Sequence, residues 1–236
     1  MYDRAETAAA NDALWAAFVR QMPGAPSHLN RDLAPDAAWR HPDLLLSQTC
    51  GLPYSLGLHA QVQLVGAPDF RLPDCPPGTY CSAIITRRGE TRATSQLLAQ
   101  GAVMNERKSQ SGHNALFRFA QGIGCDLGPA RISGGHVASA RMVAEGKADI
   151  AAIDANTWRL ITRWDDWAKT LEVIARTPPT PAMPFICGPS ADSAQVFDAL
   201  RTALAKMSDE TRDTLGLHDI VPARKEAYLA VPPPPL

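Results

Sequence analysis

The feature that most constrains this chain is a repeated order of short apolar runs, polar turns and helix-like stretches. One apolar run, residues 150–153, ends at Asp154, and others lead into the serine-rich turns 109–112 and 133–136. Apolar runs of about four to eight residues are typical of buried strands. Strands that alternate with helices favour an α/β fold with largely parallel sheets. Because open α/β sheets bind ligands at the carboxyl ends of strands, these polar residues are candidates for a binding site.

The periodicity of apolar residues predicts the remaining elements. Residues 3–22 are typical of an amphipathic helix, with Asp3 as N-cap and Glu6 completing a variant of the capping box. Strands are predicted near residues 43–47, 61–65, 80–86, 102–105, 130–132, 171–177 and 185–187, with loops at 66–79 and 178–184. Helices are predicted near residues 52–58 and 112–121, from the second turn to Gly146, from Ser190 or Asp192, and near 208–215.

Composition excludes several classes of function. The 236 residues are 45% hydrophobic and 20% charged, an ordinary globular balance, and they suffice for one or two domains. The formal net charge of −1 provides no basic field for nucleic acid or acidic lipid. No apolar run approaches the roughly 20 residues that a membrane-spanning helix needs. We therefore expect neither a nucleic-acid partner nor a membrane span.

The cysteines show no metal-binding pattern. There are five, with neither a CxxC motif nor a His–Cys ligand spacing, at positions 50, 75, 81, 125 and 187. We therefore predict no metal site and no cofactor. Residues 1–6 lack the basic and then apolar pattern of a secretion signal. We expect a periplasmic protein if an upstream signal exists, and a cytoplasmic location otherwise.

The two turns have the composition of an anion site. Serine and glycine at a helix start leave backbone N–H groups directed outward, and the helix dipole adds partial positive charge there. Ser109, Gln110, Ser111 and Gly112 are the ligand candidates of the first turn. His136 is the candidate of the second, as a neutral imidazole, because a helix N-terminus disfavours the protonated form. The alternative is an ordinary helix cap at either turn.

Further candidates lie at other strand ends and connections. Asp154 is expected to accept a hydrogen bond from a protonated oxygen or an amino group of the ligand, or else to cap the next helix. Five residues are expected to line the site or, alternatively, to be packing residues: Gln48, Thr49, Tyr2, Tyr80 and Thr180. Tyr54 is a weaker candidate since it falls within a predicted helix, and the spacing of Trp158, Trp164 and Trp167 favours a helix face or a loop core.

Five motifs in order carry a resemblance to a known family. They are Met1-Tyr2-Asp3, the run from Leu44 to Gly51, Ser109-Gln110-Ser111-Gly112, Ser133-Gly134-Gly135-His136, and the run from Ala148 to Asp154. Together they resemble the phosphate/phosphonate-type substrate-binding proteins of ABC transporters. The resemblance covers nearly the whole chain, and its specificity comes from the order of motifs that are individually short.

The resemblance implies a type II periplasmic-binding-protein fold with a ligand cleft between two lobes. One lobe would comprise residues 1–79 and 181–236, and the other residues 80–180. The chain would cross between them near residues 80–82 and 177–184. Cys50 and Cys75 match positions that are often both cysteine in relatives, so the resemblance also implies a disulfide between them.

Three functions follow from these features. The first is a monomeric, non-catalytic binding protein that captures a small oxyanion and presents it to an ABC permease. The second is a hydrolase-like enzyme, because Ser111, His136 and Asp154 are the residue types of a catalytic triad, although Ser111 is not in a G-x-S-x-G motif. The third is a cytoplasmic sensor of the same ligand. The resemblance favours the first.

Overall fold

A computed structural model describes residues 2–235 of the chain, so Met1, in the first motif, and Leu236, in the proline-rich tail, lie outside the described residues. The chain divides into two units. Unit 1 contains residues 2–79 and 181–231, and unit 2 contains residues 80–180 and 232–235. None of the helices in the described part of the chain is long and apolar enough to cross a membrane.

Helices and strands alternate along most of the chain. The α-helices are α1 (Ala5–Val19), α2 (Pro35–Trp39), α3 (Gly51–Ser55), α4 (Thr94–Gln100), α5 (Ala115–Gly122), α6 (His136–Ala144), α7 (Ala155–Trp164), α8 (Ser193–Ala205), α9 (Asp209–Leu215) and α10 (Lys225–Leu229). The strands are β1 (Ser47–Gln48), β2 (Gln63–Asp69), β3 (Thr79–Tyr80), β4 (Ser82–Arg87), β5 (Ala102–Met104), β6 (Arg131–Ile132), β7 (Ile150–Asp154), β8 (Leu171–Arg176), β9 (Thr180–Pro181), β10 (Phe185–Cys187) and β11 (Asp219–Val221). Short 3₁₀ helices span Leu58–Ala60 and Asp166–Thr170, and a π-helical turn spans Gln110–Asn114.

Unit 1 has a four-stranded sheet in the order β1-β10-β2-β11. Each of the three described pairings is antiparallel. A buried cluster behind the sheet includes Leu44, Tyr54, Ile186 and Tyr228. Tyr54 stacks edge-on against Tyr228 with ring centroids 5.3 Å apart, so Tyr54 is a core residue. The segments of unit 1 come from both ends of the chain, and this core holds them together.

Unit 2 has a five-stranded sheet in the order β6-β5-β7-β4-β8, with buried residues on both faces. Alternate residues of β4 and β7 serve opposite faces, because successive side chains of a strand point in opposite directions. Ile85 and Ile153 pack with α6 and α7, whereas Ile84 and Ile150 pack with α4 and α5. This two-sided burial explains why β7 is a continuous apolar run in the sequence.

The α/β class is confirmed, but the expectation of largely parallel sheets is wrong. Strand β5 pairs in parallel with β6 and β7. Strand β4 lies between β7 and β8 and runs antiparallel to both. Alternation of strands with helices predicts the elements, but it does not determine which strands become neighbours. Here β4 inserts between strands that lie far from it in sequence.

The first predicted helix is shorter than expected and has a different cap. Helix α1 begins at Ala5, and its cap uses Thr7, whose Oγ1 accepts a hydrogen bond from the Arg4 amide at 3.0 Å. Asp3 instead accepts hydrogen bonds from Asn11 and Arg31. Because the Asp3 carboxylate bonds to these side chains and not to the helix start, the capping box expected from Asp3 and Glu6 does not form.

Unit 1 also departs from the predicted strands. The leucines 44–46 are not part of a strand, and β1 contains only the two residues that follow them. Strand β2 runs through residues 66–69, which were expected to be loop, and Pro68 pairs with Ile220 of β11. Helices α2, α4, α7 and α10 and strands β9 and β11 were not predicted. All of them except α7 are short, and short elements depend on tertiary contacts.

The structure has no bond between Cys50, which is buried, and Cys75, which is partly buried, so the disulfide implied by the resemblance stays a prediction. A disulfide requires Cβ atoms about 4 Å apart with suitable directions, which matching positions in relatives do not guarantee. Burial raises the pKa of the Cys187 thiol to about 11, so this residue is an unreactive core thiol.

Candidate functional site

The first serine turn is a buried π-helical turn at the start of α5. Ser109 is the N-cap, and its Oγ accepts a hydrogen bond from the Gly112 amide at 3.0 Å. The π-turn closes with the Asn114 amide donating to the Ser109 carbonyl at 3.0 Å. Single π-turns occur frequently at functional sites, because they change the direction of the side chains that follow. Ser109 and Ser111 are 3% and 2% exposed, so their hydroxyls lie in a dry environment.

The second serine turn is fastened to the end of strand β5. The amides of Ser133 and Gly134 donate to the carbonyls of Met104 and Asn105, each at 2.9 Å. Gly134 has φ +88°, a conformation that side chains rarely adopt, so the glycine is required there. The Ser133 hydroxyl bonds to Ser139 and to the Gly135 carbonyl. These contacts fix the orientation of His136, the first residue of α6.

The two turns meet within unit 2. Ser111 Oγ lies 2.7 Å from His136 Nε2, although the two residues are 25 positions apart in the sequence. The Ser82 hydroxyl donates to the Ser111 carbonyl at 2.9 Å and anchors the first turn on strand β4. A serine hydroxyl, an imidazole and the first-turn amides of two helices thus belong to one cluster. Such a set supplies several donors in a region of positive helix potential.

The histidine of this cluster is held in its neutral form. Burial lowers the pKa of His136, and this effect exceeds the opposing influences of the Asp154 carboxylate and the Ala152 carbonyl. The residue as a whole keeps some exposure, but its Nδ1 atom is buried. The neutral imidazole expected from the helix N-terminus therefore has a second physical cause in desolvation.

Asp154 is engaged with the start of helix α7. Its Oδ1 accepts from the amides of Asn156 and Thr157 at 2.9 and 3.1 Å, and its Oδ2 accepts from the Thr157 hydroxyl at 2.5 Å. The geometry therefore supports the helix-cap alternative for this residue. These bonds join Asp154 to the first turn of α7.

Sequence reasoning missed one residue of the cluster, Asn105. Its carbonyl accepts from Gly134, and its Nδ2 lies 3.5 Å from His136 Nε2. Its Oδ1 packs so closely on Gly112 that a Cβ there would lie 1.8 Å away. Asn105 thus touches both turns. The only sequence signal was its place at the end of a predicted strand.

Gln110 and its neighbours form the far side of the first turn. The Gln110 Oε1 accepts from Asn114 Nδ2 at 2.9 Å, and both side chains are buried. Asn114 Nδ2 also donates to the carbonyl of Pro232 at 2.9 Å, so the C-terminal segment packs beside α5. The side chain of Gln110 is therefore directed towards α5 by this bond.

In unit 1, two further candidates meet at Met183. The Tyr2 hydroxyl lies 3.6 Å from the Met183 sulfur, and Gln48 Nε2 donates to the Met183 carbonyl at 3.1 Å. Thr49 is fully buried, and its amide donates to Pro184 at 3.0 Å. A cavity of about 700 Å³ within this unit has Tyr2 and Gln48 on its wall, together with apolar side chains such as Phe18 and Phe70.

The last two candidates lie on the segments that connect the units. Tyr80 ends β3 and Thr180 begins β9, and these two short strands pair with each other. Tyr80 is 1% exposed, whereas Thr180 is partly buried. The tryptophans are packing residues of unit 2, since Trp158 and Trp167 belong to the core cluster beneath α6 and α7. The guanidinium carbon of Arg163 lies over the ring of Trp164, 4.8 Å from the ring centroid.

Solved structures show which class of protein has this architecture. The chain matches the PhnD1 protein of Prochlorococcus marinus, solved with methylphosphonate, with a TM-score of 0.69 and 15% identity over 93% of this chain and 90% of that one. It matches a binding-protein component of an ABC phosphonate transporter from Pseudomonas aeruginosa with a TM-score of 0.66 and 15% identity, over 97% and 80% of the two chains. A Xanthomonas citri protein bound to ATP matches with a TM-score of 0.61 and 14% identity, over 96% and 91%. The fold is that of the two-lobe periplasmic binding proteins.

The family is identified from the sequence. Residues 59–228 match the family described as ABC transporter, phosphonate, periplasmic substrate-binding protein. The chain belongs to this family of phosphonate-binding transport proteins, and the resemblance drawn from its five motifs is confirmed. No curated protein sequence matches the chain. Members of the family are transport proteins rather than enzymes, so the triad alternative is not supported.

Proposed function

We propose that this chain captures a small phosphonate or phosphate-like oxyanion at the paired turns of unit 2. In this proposal Ser109, Ser111, Gly112 and His136 bind the oxyanion, and Gln110 borders it. The observation that carries the proposal is the 2.7 Å contact between Ser111 Oγ and His136 Nε2, which joins the two turns. Helix starts and hydroxyls are the groups that bind tetrahedral oxyanions in proteins.

The proposal extends to the rest of the chain. Units 1 and 2 act as the two lobes, and they close on the ligand about the segments that hold Tyr80 and Thr180. Tyr2, Gln48 and Thr49 contribute to the site from unit 1. The loaded protein, a monomer, delivers the ligand to an ABC permease in the periplasm. Support for this extension comes from the family and from the methylphosphonate bound to the Prochlorococcus protein.

The energetic requirement is modest. Micromolar capture corresponds to about −8 kcal/mol. Hydrogen bonds to a charged group contribute roughly 1.5–3 kcal/mol each, so a handful of them suffices after the costs of association. Removing one hydroxyl from the turn should therefore weaken binding by about tenfold to a hundredfold.

Calorimetric titration with methylphosphonate, phosphate and sulfate tests the proposal. We expect the unmodified protein to bind methylphosphonate or phosphate, and the Ser111→Ala variant to bind the same ligand at least tenfold more weakly. Ser208→Ala is the control for loss of a serine hydroxyl away from the paired turns, because Ser208 lies in unit 1, where it caps α9. Equal binding by the Ser111→Ala and Ser208→Ala variants, or binding of none of the anions, contradicts the proposal.

A further inference from the structure

The position of Asn105 between the two turns has a chemical consequence for His136. The side-chain Nδ2 of Asn105, a donor, faces His136 Nε2 at 3.5 Å. The same nitrogen of the ring is 2.7 Å from the Ser111 hydroxyl. An asparagine nitrogen is only a donor, whereas a serine hydroxyl is both donor and acceptor. A ring nitrogen that faces an amide NH₂ is satisfied when it carries a lone pair rather than a proton.

The other end of the carboxamide favours the same orientation. Asn105 Oδ1 is buried without a conventional hydrogen-bond partner among the described residues. It lies against Gly112, where a Cβ would approach it to 1.8 Å. The Cα–H group of a glycine is a weak donor to oxygen, whereas it offers nothing to an NH₂ group. Turning the amide over would place two donors against Gly112, so the contacts on both sides select one orientation.

Gly112 therefore has a packing role. Its φ is not in the left-handed range, unlike that of Gly134, so its backbone conformation does not itself demand glycine. The absent side chain makes room for the carboxamide of Asn105. The conformation of one turn and the hydrogen bonding of the other are thus linked through a single residue.

We propose that Asn105 positions His136 with Nε2 as a hydrogen-bond acceptor, so that the paired turns select a tetrahedral oxyanion that still carries a proton. The ligand's P–OH group donates to Nε2, and the Ser111 hydroxyl turns its own proton towards an ionised oxygen. The cap bonds of Asp154 leave this acceptor role to His136. Sulfate, which has no proton near neutral pH, meets a lone pair instead and is rejected. This inference rests on the proposed function.

The charged group that acts on His136 is the Asp154 carboxylate of β7, whereas Ser111 and Asn105 are uncharged. Burial dominates over that carboxylate and lowers the pKa of the ring, which agrees with an unprotonated Nε2. Nδ1 then carries the single proton, and this atom is buried.

The first test needs no ligand. Nitrogen-15 NMR of the imidazole in the ligand-free protein at neutral pH should show a neutral ring protonated at Nδ1. In Asn105→Asp, a carboxylate faces Nε2, and we expect the proton to move to Nε2 and the pKa of His136 to rise. Asn30→Asp is the matched control, because Asn30 accepts two backbone bonds in a unit 1 loop, as an aspartate also does. A ring protonated at Nε2 in the unmodified protein overturns the inference.

The second test measures selection by titration calorimetry. Methylphosphonate affinity should fall at least tenfold when the pH is raised past its second ionisation, and Asn105→Asp should flatten this pH profile. Asn105→Ala should lower the preference for methylphosphonate over sulfate, which an effect on folding alone does not change. An unchanged profile and preference in both variants overturn the inference. If no oxyanion binds at all while Nδ1 carries the proton, the proposed function fails and the placement of His136 stands.

Discussion

At the residue scale, the site depends on a few polar side chains whose partners were not evident from their neighbours in sequence. Ser111 was a candidate for its place at a helix start, and it proves to bond with His136. Asp154 was a candidate ligand group, and its carboxylate caps α7. Asn105 was not a candidate, and it contacts both turns. The partners of Ser111 and Asn105 come from distant segments of unit 2, whereas those of Asp154 follow it directly in the sequence.

The lowered pKa of His136 predicts a dependence of stability on pH. Because the folded-state pKa lies below the ordinary value of 6.5, the unfolded chain binds the proton more readily. Stability should therefore fall as the pH drops below about 6.5, and should stop falling below the folded-state pKa. Chemical denaturation between pH 5 and 8 measures this. His136→Gln should remove that part of the slope, whereas His28→Gln, at an exposed position, should not. Identical slopes for both variants contradict the assignment.

At the element scale, hydrogen bonds at helix starts and strand ends hold the residues of the site in place. Ser109, Asp154, Asp192 and Ser208 each accept a bond from a first-turn amide of the following helix. The positions of these caps were partly evident in the sequence, because serine and aspartate are favoured N-caps. The π-helical form of the first turn was not, since it depends on anchoring by Ser82 and Asn105.

Substitutions of Asp154 distinguish its role as the cap of α7 from a contact with the ligand. Asp154→Ala should cost about 1 kcal/mol in the free energy of unfolding, because the amides of Asn156 and Thr157 lose their acceptor. Asp154→Asn keeps an acceptor and should cost less. Asp192→Ala, which removes the cap of α8 in unit 1, is the control for loss of a cap. If Asp154→Asn retains full stability but loses methylphosphonate binding, the carboxylate contacts the ligand, as the sequence had led us to expect.

At the scale of the whole molecule, the chain forms two units with separate cores. Unit 2 is built mainly from one continuous segment, whereas unit 1 combines residues 2–79 with residues 181–231. The type II binding-protein fold expected from the five motifs is the fold that the structural relatives share. The lobe closure that we propose involves both units, so it is tested by a measurement on the whole molecule.

Small-angle X-ray scattering tests lobe closure. We expect saturating methylphosphonate to lower the radius of gyration of the unmodified protein, because a ligand that binds both lobes favours the closed population. Ser111→Ala at the same ligand concentration should show a smaller decrease. A radius that stays constant while calorimetry reports tight binding contradicts closure and leaves the anion site intact.

The number of cysteines that react with a thiol reagent tests whether Cys50 and Cys75 form a disulfide. If Cys50 and Cys75 do not form the implied disulfide, all five cysteines should react with a thiol reagent after denaturation without reductant. Under native conditions the buried Cys187 should react slowly, because its pKa is raised to about 11. Three reactive thiols in the denatured protein, with Cys50 and Cys75 the two unlabelled residues by peptide mapping, would show the implied pairing.

The sequence by itself determined the α/β class, the buried runs of β4 and β7, the cap at Ser109 and the family, because these depend on local periodicity, local hydrogen bonding and motif order. Tertiary structure decided the strand neighbours of β4, the contact of Ser111 with His136, the extension of β2 through Pro68 and the role of Asn105. The reason is that the local sequence allows a strand or a side chain several partners of similar energy. Only packing between distant segments selects one of them.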